Sequence, residues 1–149
     1  MELYIGGFGQ GKATYVKEKY QGKSVRLLEA GTYDDPDKID FPESIFVLKG
    51  FHLMVKKRMV GPGKRNPEET SPDPEGTPEW FAGWLEGLLD LEKRGKTVLI
   101  ICDEVGNGVV PIDGTERAYR ECVGRCLIHL AKQADSVERV ICGMGQKIK

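Results

Sequence analysis

Apolar positions along the chain fall into short runs that alternate with helical patterns. Leu3-Tyr4-Ile5 is an apolar run that stops at a glycine cluster. A helical pattern follows from Lys12 to Tyr20, and Gly22 ends it. Ser24 to Leu28 reads as a second strand. Ala30 to Glu43 is polar and contains Asp34-Asp35-Pro36, a loop or turn signal. Ser44-Ile45-Phe46-Val47-Leu48 is a continuous apolar run, as expected of a strand covered on both faces. His52 to Met59 predicts a helical turn carrying Lys56, Lys57 and Arg58. The stretch 61–78 holds five prolines and three glycines, which predicts a mobile surface loop. Trp80, Phe81, Trp84, Leu85, Leu88 and Leu89 recur at helical spacing, and Gly95 closes that helix. Thr97 to Cys102 is the strongest strand signal. A second long helix is predicted from Thr115 to Ala134, with Ala118, Cys122, Cys126 and Leu130 along one face. Val137 to Cys142 is the last predicted strand.

Strands alternate with helices, no internal repeat is present, and the strand runs are apolar throughout. That is the pattern of an α/β fold, a mostly parallel sheet with helices on both sides. The 149 residues fit one domain, 1–149.

Composition narrows the function classes. Hydrophobic residues make up 40% and charged residues 30%, the balance of a soluble globular chain. The formal net charge of −1 gives no pull toward nucleic acid or a membrane surface. No apolar run approaches the ~20 residues a spanning helix needs, and the N-terminus lacks a signal-peptide pattern. A cytoplasmic protein is expected. Cys102, Cys122, Cys126 and Cys142 lack CxxC spacing, so buried reduced thiols are expected.

The clearest chemistry lies at the N-terminus. Gly6-Gly7-Phe8-Gly9-Gln10-Gly11-Lys12 matches GxxxxGK in the context of strand, glycine turn and helix. Glycines let the backbone wrap close to a phosphate. The loop amides and the helix N-terminus form an anion-binding nest, and Lys12 supplies a point charge. The expected fold is therefore a P-loop NTPase-like three-layer domain, and the expected ligand is ATP or GTP. The next position, where a Ser or Thr hydroxyl would ligate Mg²⁺, is Ala13. Thr14 follows one place later, rotated by about 100° on the helix.

A second half-site follows the strongest strand. Val98 to Cys102 runs into Asp103-Glu104, and a carboxylate at that edge of the sheet suits Mg²⁺. Asp103 and Glu104 are both candidates, with Asp103 the candidate metal ligand. The next residues, Gly106-Asn107-Gly108, form a candidate substrate loop.

The run Glu104-Val-Gly-Asn-Gly-Val-Val-Pro111, then Arg117, Tyr119-Arg120, Gly124-Arg125, Ala134-Asp135 and the tail from Cys142 to Lys149, resembles the adenosylcobinamide kinase / adenosylcobinamide-phosphate guanylyltransferase family. The resemblance implies a P-loop α/β domain, a corrinoid partner and assembly as a homotrimer. It also implies phosphorylation of the aminopropanol arm of adenosylcobinamide, then GMP transfer from GTP through a histidine. Glu29 matches a nucleotide-contacting glutamate of that family. The chain departs from the pattern at several points. It is shorter between the first helix and Val25, where the family carries the GMP-accepting histidine. Its only histidines, His52 and His129, match other positions. Lys49 stands where the family has a carboxylate, Ala13 where it has serine, and Asp103 where asparagine is usual. Two main readings follow. One is a shortened kinase in which Lys12 and Asp103 or Glu104 act and GMP transfer is lost. The other is a nucleotide- or corrinoid-binding module without turnover. A remnant that keeps only the fold is the third.

Overall fold

The computed structural model describes residues 1–60 and 76–149. The elements run β1 (Glu2–Gly6), α1 (Lys12–Lys19), β2 (Val25–Glu29), a 3₁₀ turn (Pro36–Lys38), β3 (Ile45–Lys49), α2 (Phe51–Val60), α3 (Glu79–Lys93), β4 (Thr97–Asp103), α4 (Gly114–Gln133), β5 (Ser136–Ile141) and β6 (Met144–Lys147). The six strands lie in the order β2-β3-β4-β1-β5-β6. All neighbours are parallel except β5 and β6. This is the expected P-loop NTPase-like α/β fold. The loop expected over 61–78 falls outside the described residues, except for Gly76, Thr77 and Pro78, which lead into α3.

Connection handedness explains how the helices divide. From β1 the chain moves one way across the sheet to β2. Every later parallel crossover moves back the other way. Right-handed crossovers therefore put α1 on one face and α2, α3 and α4 on the other. Strand alternation matches: Tyr4, Val47, Leu99 and Ile101 pack with Val16 and Tyr20 of α1. Leu3, Phe46, Leu48, Val98 and Ile100 pack with Phe51, Phe81, Trp84, Tyr119 and Leu130 on the opposite face. The α1 face has the smaller apolar cluster and is braced by polar groups. Lys19 Nζ donates to Glu138 Oε1 at 2.6 Å and to the Tyr4 hydroxyl at 2.8 Å. The Tyr20 hydroxyl donates to Glu2 Oε1 at 2.7 Å.

Several expectations need correction. The turn expected over His52–Met59 is a full helix, because Phe51, Met54 and Val55 are buried on one side of it. The buried stripe of α4 is Tyr119, Val123, Cys126 and Leu130; Ala118 and Cys122 sit only at its margin. Spacing by four over-rotates a 3.6-residue helix, so a strict four-residue series drifts off the core face. Cys142 is neither in a strand nor buried. It is exposed and opens the β5–β6 turn with φ 51°. The antiparallel β6 was not foreseen, since all four of its residues are exposed and leave no apolar alternation.

Candidate nucleotide site at the β1–β4 edge

The site lies where the two directions of winding separate. β1 sends its chain to α1 on one face, while β4 beside it sends its chain toward α4 on the other. Such a switch point leaves a crevice at the carboxyl ends of the strands. The β1–β4 register sets Gly6 opposite Asp103, so the start of the glycine loop and the acidic end of β4 are neighbours.

The loop is shaped by close approach. A Cβ on Gly6 would stand 2.3 Å from the Val140 carbonyl oxygen, so β5 excludes any side chain there. Gly11 caps α1 at φ 82°, a left-handed conformation that glycine adopts without strain. The β5–β6 turn clasps the loop from outside. The Cys142 N–H donates to Gln10 Oε1 at 2.8 Å, and the Gly143 N–H to the Gln10 carbonyl at 2.9 Å. α1 has no acidic residue in its first turn and no side-chain cap. Its leading amides are left for an anion or water.

Lys12 is 5% exposed. Its ammonium donates to the Gly6 carbonyl at 2.9 Å and the Gly7 carbonyl at 2.7 Å, and stands 2.6 Å from Asp103 Oδ1. The Asp103 backbone N–H donates to His52 Nδ1 at 3.1 Å, and Asp103 Oδ2 is 3.6 Å from His52 Nε2. Burial lowers the His52 pKa; the Asp103 carboxylate opposes that shift, and Lys12 and Lys56 add to it. His52 is thereby favoured as neutral imidazole. Burial also pushes the neighbouring Cys102 thiol up to about 12, which removes it as a nucleophile.

The other expected residues divide. Glu104 turns away from the loop lysine. Its backbone N–H donates to the Gly6 carbonyl at 2.9 Å, and its carboxylate accepts from Arg139 at 3.0 Å and Asn107 at 3.3 Å. It braces the edge, whereas Asp103 faces Lys12. Glu29 ends β2 opposite Lys49, and the two form an ion pair of 2.9 Å beyond β3. Thr14 is exposed and, together with Ala13, lines an open cleft of about 890 Å³ with Val25, Leu27 and Val47. Thr14 follows Ala13 by about 100° on the helix, and Ala13 is only partly buried. Gly106, Asn107 and Gly108 are exposed. The rest of their loop is held by its carbonyls: Arg117 donates to Pro111 at 2.8 Å, and Arg120 to Val109 at 3.0 Å. Val109, Val110 and Ile112 remain exposed, as does Phe8 on the glycine loop.

His52, which the sequence set apart only as a histidine at another position than the family's, stands beside Asp103. Its legible signal was position, three residues beyond the end of a central strand. His129 packs edge-on against Phe81 at 6.0 Å between ring centroids, in the α3–α4 layer.

Among the described residues, no three His, Cys, Asp or Glu side chains cluster as a metal-binding group. A magnesium ion fits here only in the way it commonly binds with nucleotides: one carboxylate, here Asp103, with phosphate oxygens and water completing the shell. No helix among the described residues is long and apolar enough to cross a membrane.

Residues 38–148 match the family described as cobinamide kinase / cobinamide phosphate guanyltransferase; the glycine loop lies before that stretch. The chain is 30% identical to the bifunctional adenosylcobalamin biosynthesis protein CobU of Salmonella typhimurium, over 72% of this chain and 60% of the relative. It is 28% identical to CobU of Escherichia coli, again over 72% of this chain and 60% of the relative. The match thus spans about three fifths of the length of these curated relatives.

Proposed function

The chain belongs to the cobinamide kinase / cobinamide phosphate guanyltransferase family, and from that premise we propose that it binds ATP or GTP at Gly6–Lys12 and phosphorylates a cobinamide-type corrinoid. The observation that carries this reading is the Lys12 ammonium, 2.6 Å from Asp103 at the head of α1. Phosphoryl transfer needs positioning and charge stabilisation more than covalent chemistry. Lys12, Gly7, Phe8, Gly9, Gln10 and Gly11 would cradle the phosphates. Asp103 would hold Mg²⁺, which when bound neutralises charge building on the transferred group. The Gly106-Asn107-Gly108 loop, flanked by exposed Val109 and Val110, would meet the acceptor. The reading includes a cytoplasmic enzyme assembled as a homotrimer, a state that light scattering tests.

Kinase chemistry is favoured over GMP transfer. A histidine nucleophile needs a bare ring nitrogen facing the nucleotide. His52 Nδ1 already accepts the Asp103 N–H, and His129 lies against Phe81. A second reading, a binding module without turnover, draws support from Ala13 and from Lys49 paired with Glu29.

Calorimetric titration of ATP and GTP, with and without Mg²⁺ and then with cobinamide, separates these readings. Phosphorylated cobinamide supports the kinase. Binding without product supports the module. Absence of binding by either nucleotide, with Lys12→Ala changing nothing, would sink both. A GMP adduct in mass spectra would overturn the exclusion of guanylyl transfer.

A further inference from the structure

The end of β4 fixes where Asp103 sits along the sheet but not where its carboxylate points. We propose that His52 is the positioning residue that aims Asp103 at the phosphate site. His52 Nδ1 accepts the Asp103 backbone N–H at 3.1 Å. A neutral imidazole has one bare and one protonated nitrogen, so this bond puts the proton on Nε2. That N–H faces Asp103 Oδ2 at 3.6 Å, too far for a hydrogen bond but near enough to attract one carboxylate oxygen. Oδ1 is then left on Lys12 at 2.6 Å. One ring thus bonds the backbone of Asp103 and faces its carboxylate.

His52 is itself fixed. It occupies the second position of α2. The start of that helix is tied to β4 by the Gly50 N–H on the Ile101 carbonyl at 3.0 Å. The His52 carbonyl accepts the Tyr119 hydroxyl of α4 at 3.1 Å, and the side chain is 13% exposed. Three elements converge to orient one imidazole, which a residue that only fills space does not need. The inference rests on Asp103 serving the nucleotide, as proposed above.

Two isosteric substitutions separate positioning from packing. Glutamine places an amide N–H near Nε2 and keeps a donor for Asp103 Oδ2; asparagine keeps only an acceptor near Nδ1 for the backbone N–H. Wild type, His52→Asn, His52→Gln, His52→Ala and Asp103→Asn are titrated with ATP and GTP, with and without Mg²⁺, and melted in parallel. His52→Asn and His52→Ala are expected to lose about tenfold of the magnesium-dependent gain in affinity, the scale seen when a group that orients a metal ligand is removed. His52→Gln should keep most of that gain, with magnesium-free affinity unchanged across the His52 set; the reverse order, asparagine keeping the gain and glutamine losing it, overturns the proposal. Equal loss in all three His52 variants, or loss in none, overturns the proposal. Should those variants fail to fold, nitrogen-15 spectra of wild-type His52 decide: an Nε2–H tautomer supports the proposal and an Nδ1–H tautomer overturns it. Asp103→Asn tests the underlying reading separately. If it keeps the magnesium gain, that reading falls and this inference with it. If it loses the gain while His52→Ala keeps it, only this inference falls.

Discussion

Lys12 and Asp103 meet across two adjacent strands, Nζ to Oδ1 at 2.6 Å, because the register sets Gly6 opposite Asp103. Each is the other's counter-ion in the ligand-free chain. The first prediction follows from that mutual dependence. Lys12→Ala should weaken ATP and GTP binding by about tenfold or more, roughly 1.4 kcal/mol. It should also destabilise the fold by about 1–3 kcal/mol, since Asp103 and two backbone carbonyls lose a charged donor. Calorimetry and urea unfolding measure the two effects apart.

Asp103→Asn should act with opposite signs in two conditions. Without Mg²⁺ the substitution frees Lys12 and removes a negative charge near the phosphates, so nucleotide affinity should rise. With Mg²⁺ the gain should vanish, because a neutral amide oxygen holds Mg²⁺ more weakly than a charged carboxylate. A parallel loss in both conditions would contradict the pairing.

Ala13→Ser restores a hydroxyl on the first turn of α1, one place beyond Lys12. Magnesium-dependent affinity should improve about three- to tenfold, on the order of 1 kcal/mol. Thr14→Ala should leave nucleotide affinity unchanged, since Thr14 is exposed and rotated about 100° from position 13 on the helix. Loss of binding on Thr14→Ala would place the metal on the wrong side of α1.

Gly6→Ala should be among the most damaging single substitutions. Its Cβ would stand 2.3 Å from the Val140 carbonyl oxygen, a backbone atom that cannot swing aside. A loss of about 2–4 kcal/mol is expected, within the range of severe single substitutions, and thermal melting of the ligand-free protein reads it.

The carboxylates beneath α1 predict an acid limit. For Glu2, burial works to raise the pKa, but hydrogen bonds from Tyr4, Tyr20 and Lys19 together outweigh it and hold the group below its ordinary 4.5. For Glu138, burial is again outweighed, by hydrogen bonds from Lys19 and Tyr15. A folded pKa below the unfolded one contributes stability that is present above the unfolded value. That stability is lost as pH falls through the folded value. Unfolding free energy should therefore decline below about pH 4.5, the ordinary glutamate value, and less steeply in a Lys19→Met variant. The same slope in both would remove the network from the cause.

Sequence carried the main outline of the fold because its signals were local. The Leu3-Tyr4-Ile5 run, the glycine turn and the apolar run ahead of Asp103 each report their own element. What escaped depended on partners far along the chain. Asp103 and Glu104 are adjacent and chemically alike. Only the pairing of β1 with β4 turns one toward Lys12, while Arg139 of β5 takes the other. His52 reaches Asp103 because Gly50 reverses the chain at φ 78°, and no periodicity reports that reversal. β6 is exposed on every residue. Its place comes from the Cys142-Gly143 turn and the clasp on Gln10, not from any pattern of its own.

Among the described residues a single helix, α1, lies on one side of the sheet, and this has an architectural consequence. The five residues from Tyr20 to Ser24 join α1 to the edge strand β2, and beyond them Leu27 stays half uncovered. Extra chain spliced into that link would enter over open sheet, away from the Gly6–Asp103 seam. The fold therefore has one growth point that can gain or shed a whole helical turn or more without re-registering the strands that hold Lys12. On the opposite side the described residues already supply three helices, α2, α3 and α4, and the same insertion would have to displace one of them.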